Sequence, residues 1–391
     1  MMSWLGFIAP VVFWSNALLF VYVYWGYGVL LKALARFRGE APLRHGFDGN
    51  SWPLVTILLT VHNEESNVAR RLANLMEQDY APGRIDILVV SDGSTDRTDA
   101  IVEVFCRGRP VKLVRTGRIG KSAAQNIGMR HPTGDIVVLT DAAASFDPCC
   151  VRELVAAFAD ASVGAATAHL RLLERSGAVA ASQSMYWSYE LKIRELESRL
   201  GILAVASGTA MAFRRALFRD LPPHVGDDDI VPLDIADQGY RVVHCLSALA
   251  YDALEHEDGR EFRSRVRMTM RNWIGIWMVP SLLDPFRHPG YALALWSHKL
   301  LRWLGSFGLV AMTMAALAMA ATGTGSFVAL AFAAFLAAGA VGMWASRRRK
   351  AIPLIGTVYS FLLANAGFLV GICKALSGHR IVAYRSGMRS S

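Results

Sequence analysis

The sequence predicts an α/β domain with a mostly parallel sheet, held between an N-terminal membrane helix and a group of C-terminal membrane helices. Three observations carry this expectation. Hydrophobic residues make up 53% of the 391-residue chain, and they concentrate at about residues 4–31 and again from Tyr291 to Leu376. Nearly all the acidic residues lie between those two regions. Within that middle stretch the apolar period switches repeatedly between strand and helix, which is the pattern of βαβ units.

The segment from Trp4 to Leu31 is long enough to cross a hydrocarbon layer of about 30 Å, and no cleavage-site pattern follows a short apolar core. It reads as an anchor, not a cleaved signal peptide. No charged side chain precedes Trp4, whereas Lys32, Arg36, Arg38 and Arg44 follow Leu31. The positive-inside rule then places the following domain in the cytoplasm, and the chain at a bacterial cytoplasmic membrane. Cys106, Cys149, Cys150, Cys245 and Cys373 form no CxxC pair and no metal-ligand spacing, in keeping with an intracellular chain. The net charge of +9 gathers beside the hydrophobic segments, notably at Arg347, Arg348, Arg349 and Lys350. Membrane lipid headgroups are the partner this implies, with no nucleic acid.

Through the middle, an apolar run Leu54–Val61 precedes a helical stretch near Ser66–Gln78 and a second apolar run Ile85–Val90 that ends in Ser91, Asp92 and Gly93. A helix follows from Thr98, then a strand Lys112–Arg115, a helix opening near Lys121 and a strand Asp135–Thr140 ending at Asp141. Ligands of open α/β sheets bind beyond the carboxyl ends of the strands, so Asp92 and Asp141 should face one crevice. The first strand runs into His62, Asn63, Glu64 and Glu65 where a dinucleotide site would carry GxGxxG. That argues against an NAD-type Rossmann domain.

Five blocks, TVHNEESNVARRL, LVVSDGSTDRT, GKSAAQNIG, GDIVVLTDAAASFDP and SGTAMAFRR, resemble in order the successive motifs of family 2 glycosyltransferases, over about Val55 to Arg215. The resemblance is to the membrane-bound bacterial type, and more distantly to cellulose, hyaluronan and poly-N-acetylglucosamine synthases. It implies a GT-A fold, a Rossmann-like domain that uses a nucleoside-diphosphate sugar and inverts the anomeric centre. It assigns His62, Asn63, Glu64 and Asp92 to the donor base and ribose, and Lys121 to the diphosphate. Turn chemistry competes at Asn63 and Asp92, and a solvated helix start competes at Lys121.

The sequence departs from the family pattern at the metal motif. The expected DxD reads Asp141, Ala142, Ala143. A divalent cation, Mg2+ or Mn2+, needs few protein ligands, so Asp141 can serve alone with phosphate oxygens; help from another carboxylate, or a weakened site, stays open. Counting back from Gly239-Tyr240-Arg241-Val242 puts Asp228 in the position of the catalytic base, flanked by Asp227 and Asp229. Three aspartates also suit a helix N-terminus. Asp227, Arg265, Arg267 and Arg271 are the candidates for the leaving group or acceptor. In processive relatives the arginine block reads Gln-x-x-Arg-Trp, and here Ser264 and Met268 replace the Gln and Trp. Met185–Leu200 reads as a helix with Trp187, Tyr189, Glu190, Arg194 and Glu197 near the acceptor side.

The chain thus divides into an anchor (1–32), a cytoplasmic catalytic domain (50–262), a basic motif with interfacial helices (263–290), about three membrane helices (291–376) and a basic tail (377–391). The spans are expected at Leu301–Ala321, Ser326–Ala345 and Ile352–Cys373, with Trp273–Phe286 at the membrane surface. Four crossings would put the basic tail outside, against the positive-inside rule. The function expected is transfer of a sugar from a nucleoside-diphosphate sugar to a lipid-linked or glycan acceptor, as in exopolysaccharide or cell-envelope assembly. A processive synthase that secretes its product, and a sugar-nucleotide-binding scaffold, are the alternatives.

Overall fold

The computed structural model describes residues 2–38, 46–47, 51–173, 178–253, 258–348, 350 and 352–381. Arg44, Glu255, Arg349 and the tail beyond Ile381 lie outside the described residues. Helix α1 (Met2–Val21) passes through a π-helical turn (Tyr22–Gly26) into α2 (Tyr27–Arg38). Helical structure therefore continues past residue 32, the expected end of the anchor, to Arg38.

The domain follows as β1 (Val55–Val61), α3 (Val68–Met76), β2 (Ile85–Asp92), α4 (Thr98–Cys106), β3 (Val111–Thr116), α5 (Lys121–Gly128) and β4 (Ile136–Thr140). These elements match the sequence reading to within about two residues, because buried parallel strands show as near-continuous apolar runs. Then come β5 (Ser145–Phe146), α6 (Cys150–Ala156), β6 (Val163–Leu173), α7 (Ala178–Arg199), β7 (Ala210–Arg214), α8 (Asp227–Asp237) and β8 (Arg241–Ala253). The eight strands form one sheet in the order β3-β2-β1-β4-β7-β6-β8-β5. β1 is parallel to β2 and β4, with Val55 opposite Ile85 and Ile136, while β7 runs antiparallel to β4 and β6.

Alternation along β1 splits the core in two. Val55, Ile57 and Leu59 pack with Leu72 and Leu75 of α3 and Leu154 of α6 on one face. Leu58 on the other face joins a core that includes Ile230 of α8 and extends to Leu300, Trp303, Phe368 and Ile372. Those last residues belong to the C-terminal helices, so the sheet's second core is continuous with the membrane part.

That part consists of α9 (Asp258–Ile276), α10 (Pro289–Ala294), a π-helical turn (Leu295–Leu300), α11 (Leu301–Thr322), α12 (Ser326–Arg347) and α13 (Pro353–Leu376). Four segments are long and apolar enough to cross a membrane: Gly6–Phe37, Pro289–Thr322, Ser326–Arg347 and Leu354–Leu376. The expected boundaries at 262 and 290 fall inside α9 and α10, and the first C-terminal span starts at Pro289, not Leu301. In the stretch expected at the membrane surface, Trp273 ends within α9, Leu282 and Leu283 are buried, and Phe286 is exposed.

The α1 and α11 helices run antiparallel, with Gly6 beside Thr324 at one end and Gly305 beside Phe20 at the other. The last half of α13 packs against α9. A Cβ added at Gly367 would lie 3.0 Å from Arg265 Cβ, and one at Gly371 would lie 2.8 Å from Thr269 Cβ, so small residues let α13 press on α9. Ile381 lines the same cavity as Asp228. The described residues that follow α13, up to Ile381, therefore lie beside the α/β domain.

Candidate active site

At the carboxyl end of β2 the chain turns through Gly93 with φ +65°, where an added Cβ would lie 2.7 Å from the Arg118 backbone nitrogen. Glycine thus permits the strand end to meet the loop before α5. The buried Asp92 carboxylate accepts hydrogen bonds from the backbone N–H groups of Ile119 (2.8 Å) and Gly120 (3.1 Å) and from Arg118 Nη1 (2.5 Å). It is engaged within the protein, and both it and Arg118, a residue the sequence reading missed, line the cavity. His62 donates from Nδ1 to the Asp92 carbonyl at 2.8 Å, which fixes its tautomer. Asn63 does not join the cavity lining: it is exposed, sits at φ +54°, and its Oδ1 accepts from the Thr95 N–H at 2.8 Å. Its place in the structure is the turn, as left-handed backbone at an asparagine allows.

Lys121 is the first residue of α5, directly after the loop that Asp92 holds. Its Nζ lies 2.8 Å from Asp141 Oδ1 and 3.1 Å from Asp227 Oδ2. Burial opposes the charge on Lys121, yet Asp141 and Asp227 hold its ammonium above the ordinary lysine value. Asp227 is itself buried and accepts from Gln125 Nε2 at 2.7 Å. Burial favours its neutral form, but Lys121 and that hydrogen bond draw the carboxyl below the usual range. Asp227 therefore anchors Lys121 and lies off the cavity lining, where a leaving-group or acceptor contact was expected.

Asp227, Asp228 and Asp229 form the first turn of α8, where negative charge complements the helix dipole. Asp228 points into the cavity, and among the described residues its carboxylate accepts no hydrogen bond. Burial, and then the charge of Asp227, push its carboxyl above the ordinary aspartate value. Asp141 stands across from it. A Cβ added at Gly208 would lie 3.6 Å from Asp141 Oδ2 and 3.6 Å from Asp228 Cγ.

The cavity holds about 650 Å³. It is lined by His62, Glu64, Asp92, Arg118, Lys121, Asp141 and Asp228 at the strand ends, and by Arg265, Arg267 and Arg271 of α9. Arg265 pairs with Glu261 at 2.8 Å, Arg267 donates to Ser264 Oγ at 3.4 Å, and Arg271 donates to Ser122 Oγ at 3.2 Å and to the Val225 carbonyl. Ser264 and Met268 line the cavity where processive relatives carry Gln and Trp.

Among the described residues no three His, Cys, Asp or Glu side chains converge as a metal cage. Asp141 is tied to Lys121 through Oδ1, and its Oδ2 faces Gly208 and Asp228. These residues fit a cation that completes its shell with donor phosphates and water, which takes only one or two carboxylates.

The far end of the cavity is formed by Trp187, Glu190, Arg194, His298, Lys299, Arg302, Trp303 and Phe368. Glu190 is buried and accepts from Arg302 at 2.8 Å, from His298 Nε2 at 3.0 Å and from Arg194 at 3.2 Å. Burial works against its charge, but His298, Lys299 and Arg302 hold the carboxyl well below its ordinary value. His298 and Lys299 escaped the sequence reading because the span was started at Leu301, and Arg302 because it was taken as part of that span. Three ionisable residues at the head of an apolar run were the available signal.

Residues 56–222 match the model of glycosyl transferase family 2. An N-acetylglucosaminyltransferase of Sinorhizobium fredii is 26% identical over 234 residues, 55% of this chain and 56% of that protein. A beta-monoglucosyldiacylglycerol synthase of Synechocystis sp. is 35% identical over 118 residues, 29% of this chain and 25% of that protein. The chain spans about half the length of the curated N-acetylglucosaminyltransferases it matches. The mannosyltransferase PcManGT from Pyrobaculum calidifontis, solved with GDP-Man and Mn2+, superimposes with a TM-score of 0.74 at 25% identity, covering 96% of this chain and 100% of that one. With its strand-end aspartates on a sheet of that architecture, residues 56–222 form a domain that matches glycosyltransferase family 2, and the sheet has the GT-A fold.

Proposed function

We propose that the chain transfers a sugar from a nucleoside-diphosphate sugar to an acceptor held at the membrane surface, with inversion at the anomeric carbon. The observation that carries this reading is the pairing of Asp141 and Asp228 across Gly208, in one cavity that runs from the strand ends to the membrane helices. His62, Glu64 and Arg118 line the part where the nucleoside of the donor would sit. Lys121 and Arg271 bring positive charge to the diphosphate, and a cation on Asp141 would add to it.

The acceptor hydroxyl attacks the anomeric carbon and its proton passes to Asp228. The bond from that carbon to the diphosphate oxygen breaks, and the nucleoside diphosphate leaves into the field of Lys121 and Arg271. An unpaired carboxylate with a raised pKa suits the proton transfer better than one already engaged, as Asp227 is. The helices that flank the domain explain an acceptor drawn from the bilayer, and Ser264 and Met268 favour the addition of one or a few sugars over long-chain extrusion.

Purified full-length protein supplied with UDP-GlcNAc or GDP-Man should release nucleoside diphosphate only when membrane lipid extract is added. Release that is independent of lipid, or absent with every nucleotide sugar tried, would remove this reading.

A further inference from the structure

Where the membrane helix Pro289–Thr322 begins, the cavity wall changes character. The π-helical turn Leu295–Leu300 carries His298 and Lys299 at the wall, and such turns recur at functional sites. Three cations are largely buried at this end, with the side chains of Arg194, Lys299 and Arg302 exposed by 9%, 16% and 3%. Two carboxylates answer them. Glu197 lies off the cavity lining and takes the Tyr27 hydroxyl at 2.8 Å and His298 Nδ1 at 2.8 Å. Glu190 serves Arg194, His298 and Arg302, while Lys299 Nζ stays 3.9 Å from its Oε1, beyond hydrogen-bond reach.

Among the described residues at this end, the three cations Arg194, Lys299 and Arg302 thus face the two carboxylates of Glu190 and Glu197. Asp229 also feels Lys299, but it lies off the cavity lining, and burial together with Asp228 pushes its carboxyl well above the ordinary value. Lys299 thus shares the single Glu190 carboxylate with Arg194, Arg302 and His298, and a largely buried cation so incompletely compensated gains from the arrival of an anion. Trp187, Trp303 and Phe368 line the same end, and aromatic rings beside cations at the head of a span mark headgroup depth.

Resting on the transferase reading above, we propose that Lys299 binds the phosphate of the acceptor, so that the acceptor is a lipid bearing a phosphate or diphosphate and not a neutral glycolipid. Trp187, Trp303 and Phe368 receive the apolar chain next to that phosphate. A neutral acceptor would leave Lys299 with only its long, shared pairing to Glu190.

Binding of farnesyl phosphate, farnesol and inorganic phosphate to the full chain in non-ionic detergent tests this, with UDP and GDP binding measured on the same preparations. Farnesyl phosphate should bind at least about tenfold more tightly than farnesol or inorganic phosphate, the difference a charge-assisted bond makes. Lys299→Ala should weaken it about tenfold, and Lys299→Arg should restore it to within about threefold. Equal binding of farnesol, or an undiminished Lys299→Ala protein, overturns the phosphate site. Inorganic phosphate binding as tightly as farnesyl phosphate overturns the lipid source. If UDP or GDP binds while farnesyl phosphate does not, the acceptor assignment alone fails; if neither nucleotide binds, it is the transferase reading that fails.

Discussion

Asp141 and Asp228 face each other across Gly208, and a Cβ at that glycine would lie 3.6 Å from Asp141 Oδ2 and 3.6 Å from Asp228 Cγ. Those are ordinary contact distances, so alanine fits there without displacing backbone. It fills the space between the two carboxylates, where donor phosphates would lie. Gly208→Ala should therefore keep the melting temperature within a few degrees and lower kcat by about tenfold or more, as small displacements at a reacting centre do. Unchanged kcat would show that the space is not used.

Lys121 joins Asp141 on the cavity wall to buried Asp227, with distances of 2.8 Å and 3.1 Å. Lys121→Met removes the charge placed for the leaving diphosphate and leaves Asp227 buried without its cation. We expect kcat to fall by about 10²–10³, the loss seen when one transition-state donor is removed. Stability should fall by about 3 kcal/mol, the low end for breaking a buried pair. Thermal unfolding in detergent separates the two effects. The double variant Lys121→Met with Asp227→Asn should recover stability without recovering turnover.

Glu190 predicts the direction of an acid dependence. Its carboxyl is held well below the ordinary glutamate value of 4.5, so the stability it contributes is present above that value and lost as pH falls through the lower folded one. The melting temperature of the protein should be flat near neutrality and decline in acid. Glu190→Gln should lower it at neutral pH, because Arg302 and His298 lose their carboxylate, and should flatten the acid decline. A parallel decline in the variant would assign the acid sensitivity to other groups.

The packing of Gly367 and Gly371 on α9, and of Ile381 at the cavity, predicts the side on which the residues after α13 lie. Fluorescent protein fused after Ile381 should fluoresce in a bacterial host, and alkaline phosphatase fused there should be inactive. The reverse pair of results would mean that α13 leads away from the catalytic domain.

Much of the domain was legible in the sequence. The strands through β4 showed because they are buried on both faces, and the place of Asp228 in the first turn of α8 could be counted because its distance from Gly239 is local. Contacts made across the chain were not legible. The Asp92 side chain reads as a ligand from its block alone, yet its partners are Arg118, Ile119 and Gly120, which only the fold brings to it. The turn hydrogen bond from the Thr95 N–H to Asn63 Oδ1 joins residues 32 positions apart, and the Asn63 block alone does not reveal it. The Glu190 and His298 pair lies 108 positions apart, and His298 was hidden at the head of an apolar run whose period continues unbroken into α11.

The most direct measurement is the comparison of Asp228→Asn with the parent protein, following nucleoside diphosphate release and donor affinity together in the presence of lipid acceptor. Asparagine keeps the size of the side chain and cannot take the proton. Turnover should fall by about 10² or more, the contribution of a positioned general base, while donor affinity stays within about threefold. Turnover equal to that of the parent would contradict Asp228 as the base and, with it, the site described here.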